Sequence, residues 1–144
     1  MKSFFIASIL ILTSSLLSFG QSNCQGNKIH GKWKSVGSVG GYQNVTGNVD
    51  SLKKTIHIHS DPHFFEFQTD GTYIYSNPAI DLKKPYLKKE VYRFDEKACE
   101  IILGRKKKAY KDSNLELLYV DDQYMIITND NNPHGDYTTL YLKQ

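Results

Sequence analysis

Short runs in which apolar and polar residues alternate fill the chain from residue 31 to its end, with turn-forming residues between them. Alternation at every second residue is typical of strands with one buried face, and no run shows the 3.6-residue period of a helix. The predicted strands are 31–39, 53–59, 63–68, 72–76, 89–94, 99–103, 115–120, 123–129 and 137–142. This series predicts an all-β fold, an antiparallel up-and-down barrel of about eight strands, since closing the sheet removes its exposed edges.

Asp70-Gly71 predicts a two-residue turn between two of these strands, because both residue types tolerate positive φ angles. Such a turn pairs Phe67 with Ile74. Phe65, Phe67 and Ile74 then share the face that belongs to the core, and the tyrosines of the second strand lie on the opposite face. In the first strand, the same alternation predicts one inward face, which carries Trp33, Ser35, Gly37 and Val39.

A second hairpin spans residues 115–127, with its turn predicted at Asp121-Asp122. One of its faces carries Leu115, Leu117, Tyr119, Tyr124 and Ile126. The other carries Leu118, Val120, Met125 and Ile127. An antiparallel sheet with one wet side would be polar on one face, so something must cover the second face here. A loop, a short helix, a second sheet or a partner chain would serve, and the last of these would make a homodimer.

The first twenty residues have the layout of a secretion signal: a basic start at Lys2, an apolar stretch and small residues before the cleavage site. Cleavage is expected before Gln21. Polar residues interrupt the apolar run, which is too short for a comfortable membrane span of about 20 residues. An uncleaved anchor and a lipoprotein at Cys24 are the alternatives, and Asn23 argues against lipid attachment. The predicted divisions are a signal peptide (1–20), an N-terminal tail (21–30) and a barrel domain (31–144).

Export implies a soluble protein in the periplasm or the extracellular space, without stable membrane insertion. Cys24 and Cys99 would then lie in an oxidising compartment, where a lone pair most simply forms a disulfide bond. Cleavage removes one of the 18 basic residues and leaves 15 acidic ones, so the mature net charge is +2. That charge is too small to indicate a nucleic-acid partner.

Several segments in this order resemble the lipocalin-like proteins, especially the small secreted ones of Bacteroidetes-type bacteria. The resemblance depends on Gly31–Trp33, Phe65–Phe67, Thr69–Tyr73, Tyr92–Phe94 and Cys99–Ile101, followed by the second hairpin. It covers nearly all of residues 29–142. The Thr-Asp-Tyr motif, the late arginine (here Lys143) and the long C-terminal helix of the animal lipocalins are not evident.

The resemblance implies a barrel with one open end that holds a small, usually apolar molecule. It also implies that Trp33 packs across the closed end, a structural role, as for Gly31, Asp70 and Gly71 in their turns. The ligand is expected to be small and hydrophobic or amphipathic, and no cofactor is expected. Candidate ligand-binding residues are Phe65, Phe67, Ile74, Tyr92, Phe94, Leu117, Tyr119 and Tyr124. The alternative function is a packed-core barrel that acts as a protein-interaction module.

Three histidines close together in sequence, His57, His59 and His63, offer a candidate metal site. The competing interpretation is a polar outer face, because the alternation that sends Ile56 and Ile58 inward sends His57 and His59 outward. The chain carries no nucleophile elbow, no zinc-protease helix motif and no phosphate-binding glycine loop, so an enzyme is not expected.

Overall fold

The computed structural model describes residues 24–40, 48–78, 84, 86–104, 114–129 and 136–144. Its strands are β1 (Gly31–Gly40), β2 (His57–Ile58), β3 (Phe64–Phe67), β4 (Thr72–Asn77), β5 (Tyr86–Asp95), β6 (Glu100–Leu103), β7 (Asn114–Val120), β8 (Tyr124–Asn129) and β9 (Tyr137–Lys143). A 3-10 helix over Gly26–Ile29 and a short α-helix, α1 (Val49–Lys53), are the helical elements of these residues. The predicted signal peptide lies outside the described residues.

The strands form one antiparallel sheet that closes on itself. β1 pairs with β3, strands β3 to β9 pair in chain order, and β9 pairs back with β1. The closed barrel therefore has eight strands, and β2 is an additional strand that pairs with β1 beyond the end of β3. The predicted all-β barrel is confirmed.

A β-bulge in β1 decides which of its side chains enter the barrel. The register with β9 shifts between Ser35 and Gly37. One extra residue reverses the alternation, so Ser35 and Ser38 both face inward while Val39 packs on the outside of the barrel. The prediction of one inward face through Val39 is therefore wrong beyond the bulge.

The β3–β4 hairpin differs from its predicted register by one residue. Phe67 pairs with Tyr73, and Ile74 pairs with Glu66 on the outer side. The loop is longer than predicted: the Gly71 N–H donates to the Gln68 carbonyl at 3.2 Å, and Gly71 has φ +79°. This is a type I turn followed by a left-handed glycine, which adds a third loop residue and places the tyrosines of β4 inside.

The β7–β8 hairpin also differs from its prediction. The Asp121 N–H donates to the Tyr124 carbonyl at 2.9 Å, so the turn residues are 122 and 123. A register shift between Leu117 and Tyr119 then reverses the faces. The inward residues are Leu115, Leu117, Val120, Met125 and Ile127. The outer cluster contains Leu118, Tyr119, Tyr124 and Ile126.

The predicted strand 53–59 is wrong over most of its length: helix α1 ends at Lys53, and only His57–Ile58 is a strand. The Asn48 side chain caps α1 by accepting a hydrogen bond from the Ser51 N–H at 3.0 Å. Leu52 is 2% exposed and packs with Ile126 and Leu140 on the outer wall of the barrel. A short helix within the chain thus covers the second apolar face of the hairpin.

The 3-10 helix packs across one end of the barrel, so the predicted tail is in part regular structure. Trp33 is fully buried there and donates from Nε1 to the Ile29 carbonyl at 2.6 Å. A Cys24–Cys99 disulfide, with 5.6 Å between the Cα atoms, ties this segment to the start of β6. Neither described helix has the length and apolar character needed to cross a bilayer.

Candidate functional site

A cavity of about 410 Å³ lies inside the barrel at the end opposite to Trp33. Its lining comes from β1, β3, β4, β7, β8 and β9, and from the segment between β2 and β3. The lining residues are Ser38, His59, His63, Phe65, Tyr75, Leu115, Ile127, Asn129, Tyr137, Thr139 and Tyr141. Aromatic and aliphatic side chains form most of this surface, and hydroxyl, imidazole and amide groups supply the polar part.

The aromatic part of the lining is a set of rings in mutual contact. The centroid of Phe65 lies 5.1 Å from that of Tyr75 and 5.9 Å from that of Tyr141. The His63 ring lies 5.6 Å from Tyr75 and 5.5 Å from Tyr141. These distances are in the range of favourable aromatic pairing, and the ring planes are tilted by 46–78° to one another, so the rings pack against one another along the wall.

His59 joins the cavity wall because both of its ring nitrogens meet hydroxyl groups of β1. Nδ1 lies 2.9 Å from the Ser35 Oγ and Nε2 lies 2.9 Å from the Ser38 Oγ. The His59 backbone N–H also donates to the Val36 carbonyl at 3.0 Å, at the bulge. The prediction that His59 lies on an outer face is wrong: β2 ends at Ile58, which is 80% exposed, and the alternation does not continue past it.

His63 is tied to the same network at its backbone and at its ring. Its N–H donates to the Ser35 Oγ at 3.0 Å, and its Nε2 lies 2.8 Å from the Tyr141 hydroxyl. The Thr139 hydroxyl lies 2.8 Å from the Ser38 Oγ. Two polar branches therefore leave Ser35 along one wall, one through His59 to Ser38 and Thr139, and one through His63 to Tyr141.

Burial keeps this network uncharged at neutral pH. Desolvation, with a smaller contribution from the charge of His59, lowers the pKa of His63 to about 4. Desolvation also lowers the pKa of His59 and raises the pKa of Tyr141. Among the residues that the structure describes in the lining, none is an Asp, Glu, Lys or Arg.

The three histidines of the candidate metal site do not come together. His57 is exposed, whereas His59 and His63 line the cavity with their ring centroids 5.6 Å apart. Within the described ranges, no three His, Cys, Asp or Glu side chains are grouped so that they could hold a metal ion. The ring nitrogens of His59 form hydrogen bonds with serine hydroxyl groups instead.

The structure distributes the candidate ligand-binding residues over several surroundings. Phe65 lines the cavity, while Phe67 and Leu117 are buried in the core, 1% and 2% exposed. Tyr92 and Phe94 border an open cleft of about 280 Å³ at the opposite end, between the 3-10 helix, the β3–β4 loop and the end of β5. Three residues, Ile74, Tyr119 and Tyr124, lie on outer faces of the barrel.

Of the candidate ligand-binding residues, Phe65 alone lines the cavity, and the lining residues on β1, β4, β7, β8 and β9 were not predicted. In β9 the alternation itself was a usable signal, because Tyr137, Thr139 and Tyr141 stand at every second position. Nothing local identified Ser38, since its inward direction depends on the bulge.

No model of a known protein family matches this chain, and no curated protein is significantly similar to it. The fold and the cavity therefore carry the functional argument. The arrangement provides a half-open cavity with aromatic and aliphatic walls and one hydrogen-bonding wall, which suits the holding of a small amphipathic molecule.

Proposed function

We propose that this protein is an exported, lipocalin-like carrier that holds a small amphipathic molecule in the 410 Å³ cavity. The observation that carries the proposal is that the barrel interior is filled by side chains at one end and unfilled at the other. Eight-stranded barrels are often packed solid. A space of this size, in the range of about 300–1,000 Å³ typical of ligand pockets, is therefore a specific feature.

The shape of the barrel supports the lipocalin-like part of the proposal. Trp33 packs beneath an N-terminal turn at the closed end, as the resemblance implied, and eight antiparallel strands close in order. Lys143 lies on the last strand, near which the animal lipocalins carry an arginine. Its Nζ lies 5.1 Å from the centre of the Trp33 ring. The resemblance to the small secreted proteins of Bacteroidetes-type bacteria is part of the same proposal.

Export rests on the signal-like sequence of residues 1–20 and is supported by the disulfide. Disulfides persist in the periplasm and outside the cell and are rare in the cytosol. Mass spectrometry of the protein secreted by its own host would test it: a mature N-terminus at Gln21 is expected, and an intact Met1 would contradict it.

Filling the cavity tests the binding function. Ile127 is 3% exposed and lines the cavity, so Ile127→Trp adds bulk inside it. Titration of the purified protein with the neutral fluorophore 1-aminoanthracene should show saturable binding that weakens at least about tenfold in this variant. Ile58→Trp is the matched control, because it adds the same indole at a position that is 80% exposed. Absence of saturable binding to the wild type, or equal binding by all three proteins, would contradict the proposal.

A homodimer through the 115–127 hairpin stays a prediction. The outer residues of that hairpin pack against α1 within the chain, which leaves less apolar surface for a partner. Sedimentation velocity over a hundredfold range of concentration would decide between a monomer and a dimer.

A further inference from the structure

The polar network on the cavity wall has a direction, which begins at Ser35. This side chain is 1% exposed, and its Oγ accepts the His63 backbone N–H, which is always a donor. The remaining contact of the Ser35 hydroxyl is the His59 Nδ1. If that nitrogen carried a proton, the Ser35 hydroxyl proton would be buried without an acceptor, a costly arrangement. The Ser35 hydroxyl therefore donates to Nδ1.

The tautomer of His59 orients the branch of the network that runs through Ser38. A neutral imidazole that accepts at Nδ1 carries its proton at Nε2, so His59 donates to the Ser38 Oγ. The Ser38 hydroxyl donates onward to the Thr139 hydroxyl. On the other branch, the Tyr141 hydroxyl lies 2.8 Å from the His63 Nε2. A phenol is the stronger donor of this pair and a neutral imidazole nitrogen is the stronger acceptor, so the Tyr141 hydroxyl donates to the His63 Nε2.

The network ends on a donor that has no partner in the protein. Since His63 accepts at Nε2, its proton is at Nδ1, and this atom has no hydrogen bond within the part of the chain that the structure describes. His63 lines the cavity, and its Nδ1 is not one of the fully buried polar atoms that lack a partner, so this atom is accessible from the cavity. The Nδ1–H group is thus the hydrogen-bond donor that the network offers to an occupant.

We propose that the cavity selects an uncharged, planar aromatic molecule that carries a hydrogen-bond acceptor such as a ketone oxygen, and that this acceptor binds the His63 Nδ1–H. This inference rests on the proposed function and narrows its ligand class. The Phe65 ring is tilted by 52° to the Tyr75 ring and by 58° to the Tyr141 ring, so the three rings offer both faces and edges against which an aromatic body can pack.

The same geometry disfavours ionic ligands. No described residue of the lining carries a formal charge at neutral pH, so a buried carboxylate or ammonium would lose hydration without gaining a partner among them. A carboxylate could recruit a proton to His63, but with a pKa of about 4 the neutral imidazole is favoured about a thousandfold at pH 7. An uncharged acceptor avoids both the loss of hydration of a charged group and the protonation of His63.

Three nearly isosteric naphthalenes test the selection: 2-acetylnaphthalene, 2-naphthoate and 2-ethylnaphthalene, each used to displace 1-aminoanthracene at pH 7. The ketone should bind about threefold to tenfold more tightly than the ethyl compound, the contribution of one neutral hydrogen bond. It should bind on the order of a hundredfold more tightly than the carboxylate. Equal binding of all three, or tightest binding by the naphthoate, would overturn the inference and leave the binding function standing. If 1-aminoanthracene does not bind at all, the proposed function fails, and this inference with it.

His63→Phe removes the donor and keeps a ring, so the preference for ketone over ethyl compound should fall below about twofold. His57→Phe is the matched control, since that histidine is exposed and lies outside the cavity. A ketone preference that survives in folded His63→Phe would contradict the inference. Should His63→Phe fail to fold, nitrogen-15 spectra of the wild type decide the question: an Nε2–H tautomer of His63 would overturn the inference, and an Nδ1–H tautomer supports it.

Discussion

The two ends of the barrel interior use the same closed sheet in opposite ways. At the closed end, Ile29, Trp33 and Phe67 are at most 1% exposed and fill the space between the strands. At the open end, the interior positions of β1 are Ser35 and Ser38, and a cavity remains. The closed end is thus the packed core of the barrel, and the open end is the part of the interior that side chains leave free.

The difference can be followed along β1 alone. Its inward side chains shrink from an indole at Trp33 to hydroxymethyl groups at Ser35 and Ser38. Small polar side chains leave volume, and they also bind the imidazole of His59. One strand thus supplies both the anchor of the core and the polar wall of the cavity.

Truncation of the closed end should give the largest effect. Trp33→Ala should lower the free energy of unfolding by about 3–5 kcal/mol, because it opens a void in a fully packed region and leaves the Ile29 carbonyl unpaired. Tyr137→Ala, at a cavity residue that is 38% exposed, should cost less than about 1 kcal/mol. Urea unfolding followed by far-UV circular dichroism suits both variants, because Trp33 is the chain's one tryptophan. Equal losses of unfolding free energy in the two variants would contradict the difference in packing between the two ends.

Removal of the disulfide should have the next largest effect, again at the closed end. Cys24 and Cys99 are separated by 75 residues. A loop of this length stabilises the folded state by about 4 kcal/mol in the chain-entropy model. The double variant Cys24→Ser, Cys99→Ser should lose about that much in urea unfolding. Dithiothreitol should destabilise the wild type similarly and leave the double variant, which has no cysteine, unchanged. A wild type that dithiothreitol does not destabilise would contradict the assignment.

A smaller, pH-dependent effect is expected at the open end. His63 has its pKa lowered from 6.5 to about 4, so the unfolded chain binds more protons than the folded one between these values. Its contribution to stability is therefore present near neutral pH and is lost as pH falls from about 6.5 to 4. Between pH 7 and pH 5 the loss from this group should be about 2 kcal/mol.

The variant His63→Phe isolates that contribution. Urea unfolding at pH 7 and pH 5 should show a smaller decrease for this variant than for the wild type, since all other titrating groups are shared. The same pH step on Trp33→Ala should give the wild-type decrease, because that substitution is at the other end of the barrel. A pH dependence that His63→Phe leaves unchanged would show that His63 is not held in its neutral form by burial.

The class of the fold and the buried tryptophan and disulfide of the closed end could be predicted from the sequence alone. Alternation predicts strands wherever a sheet has one apolar face, and the strands β3 to β9 follow the predicted series. The burial of Trp33 and the Cys24–Cys99 bridge are confirmed as well. These features depend on residue type, which a sequence displays directly.

The cavity was hard to predict because its lining depends on register. A single extra residue reverses the direction of every later side chain in a strand. The three-residue loop at Gly71 turned Tyr75 inward, and the bulges near Ser35 and Leu117 turned Ser38 and Leu115 inward. Asn48 and Leu52 could signal α1, as a cap and an apolar anchor, but a five-residue helix is too short to show a period.

The pairing of β1 with β9 has a consequence for how the molecule is assembled. The hydrogen bond between Ser38 and Thr139 joins residues 101 positions apart, so the sheet cannot close until the last strand reaches the first. Contacts of such long range slow folding, because the chain must form a large loop before the pairing offsets the lost entropy. Until that step, β1 and β8 each keep a free edge. The cavity wall, which is built across this seam, is therefore completed only when the C-terminal strand docks.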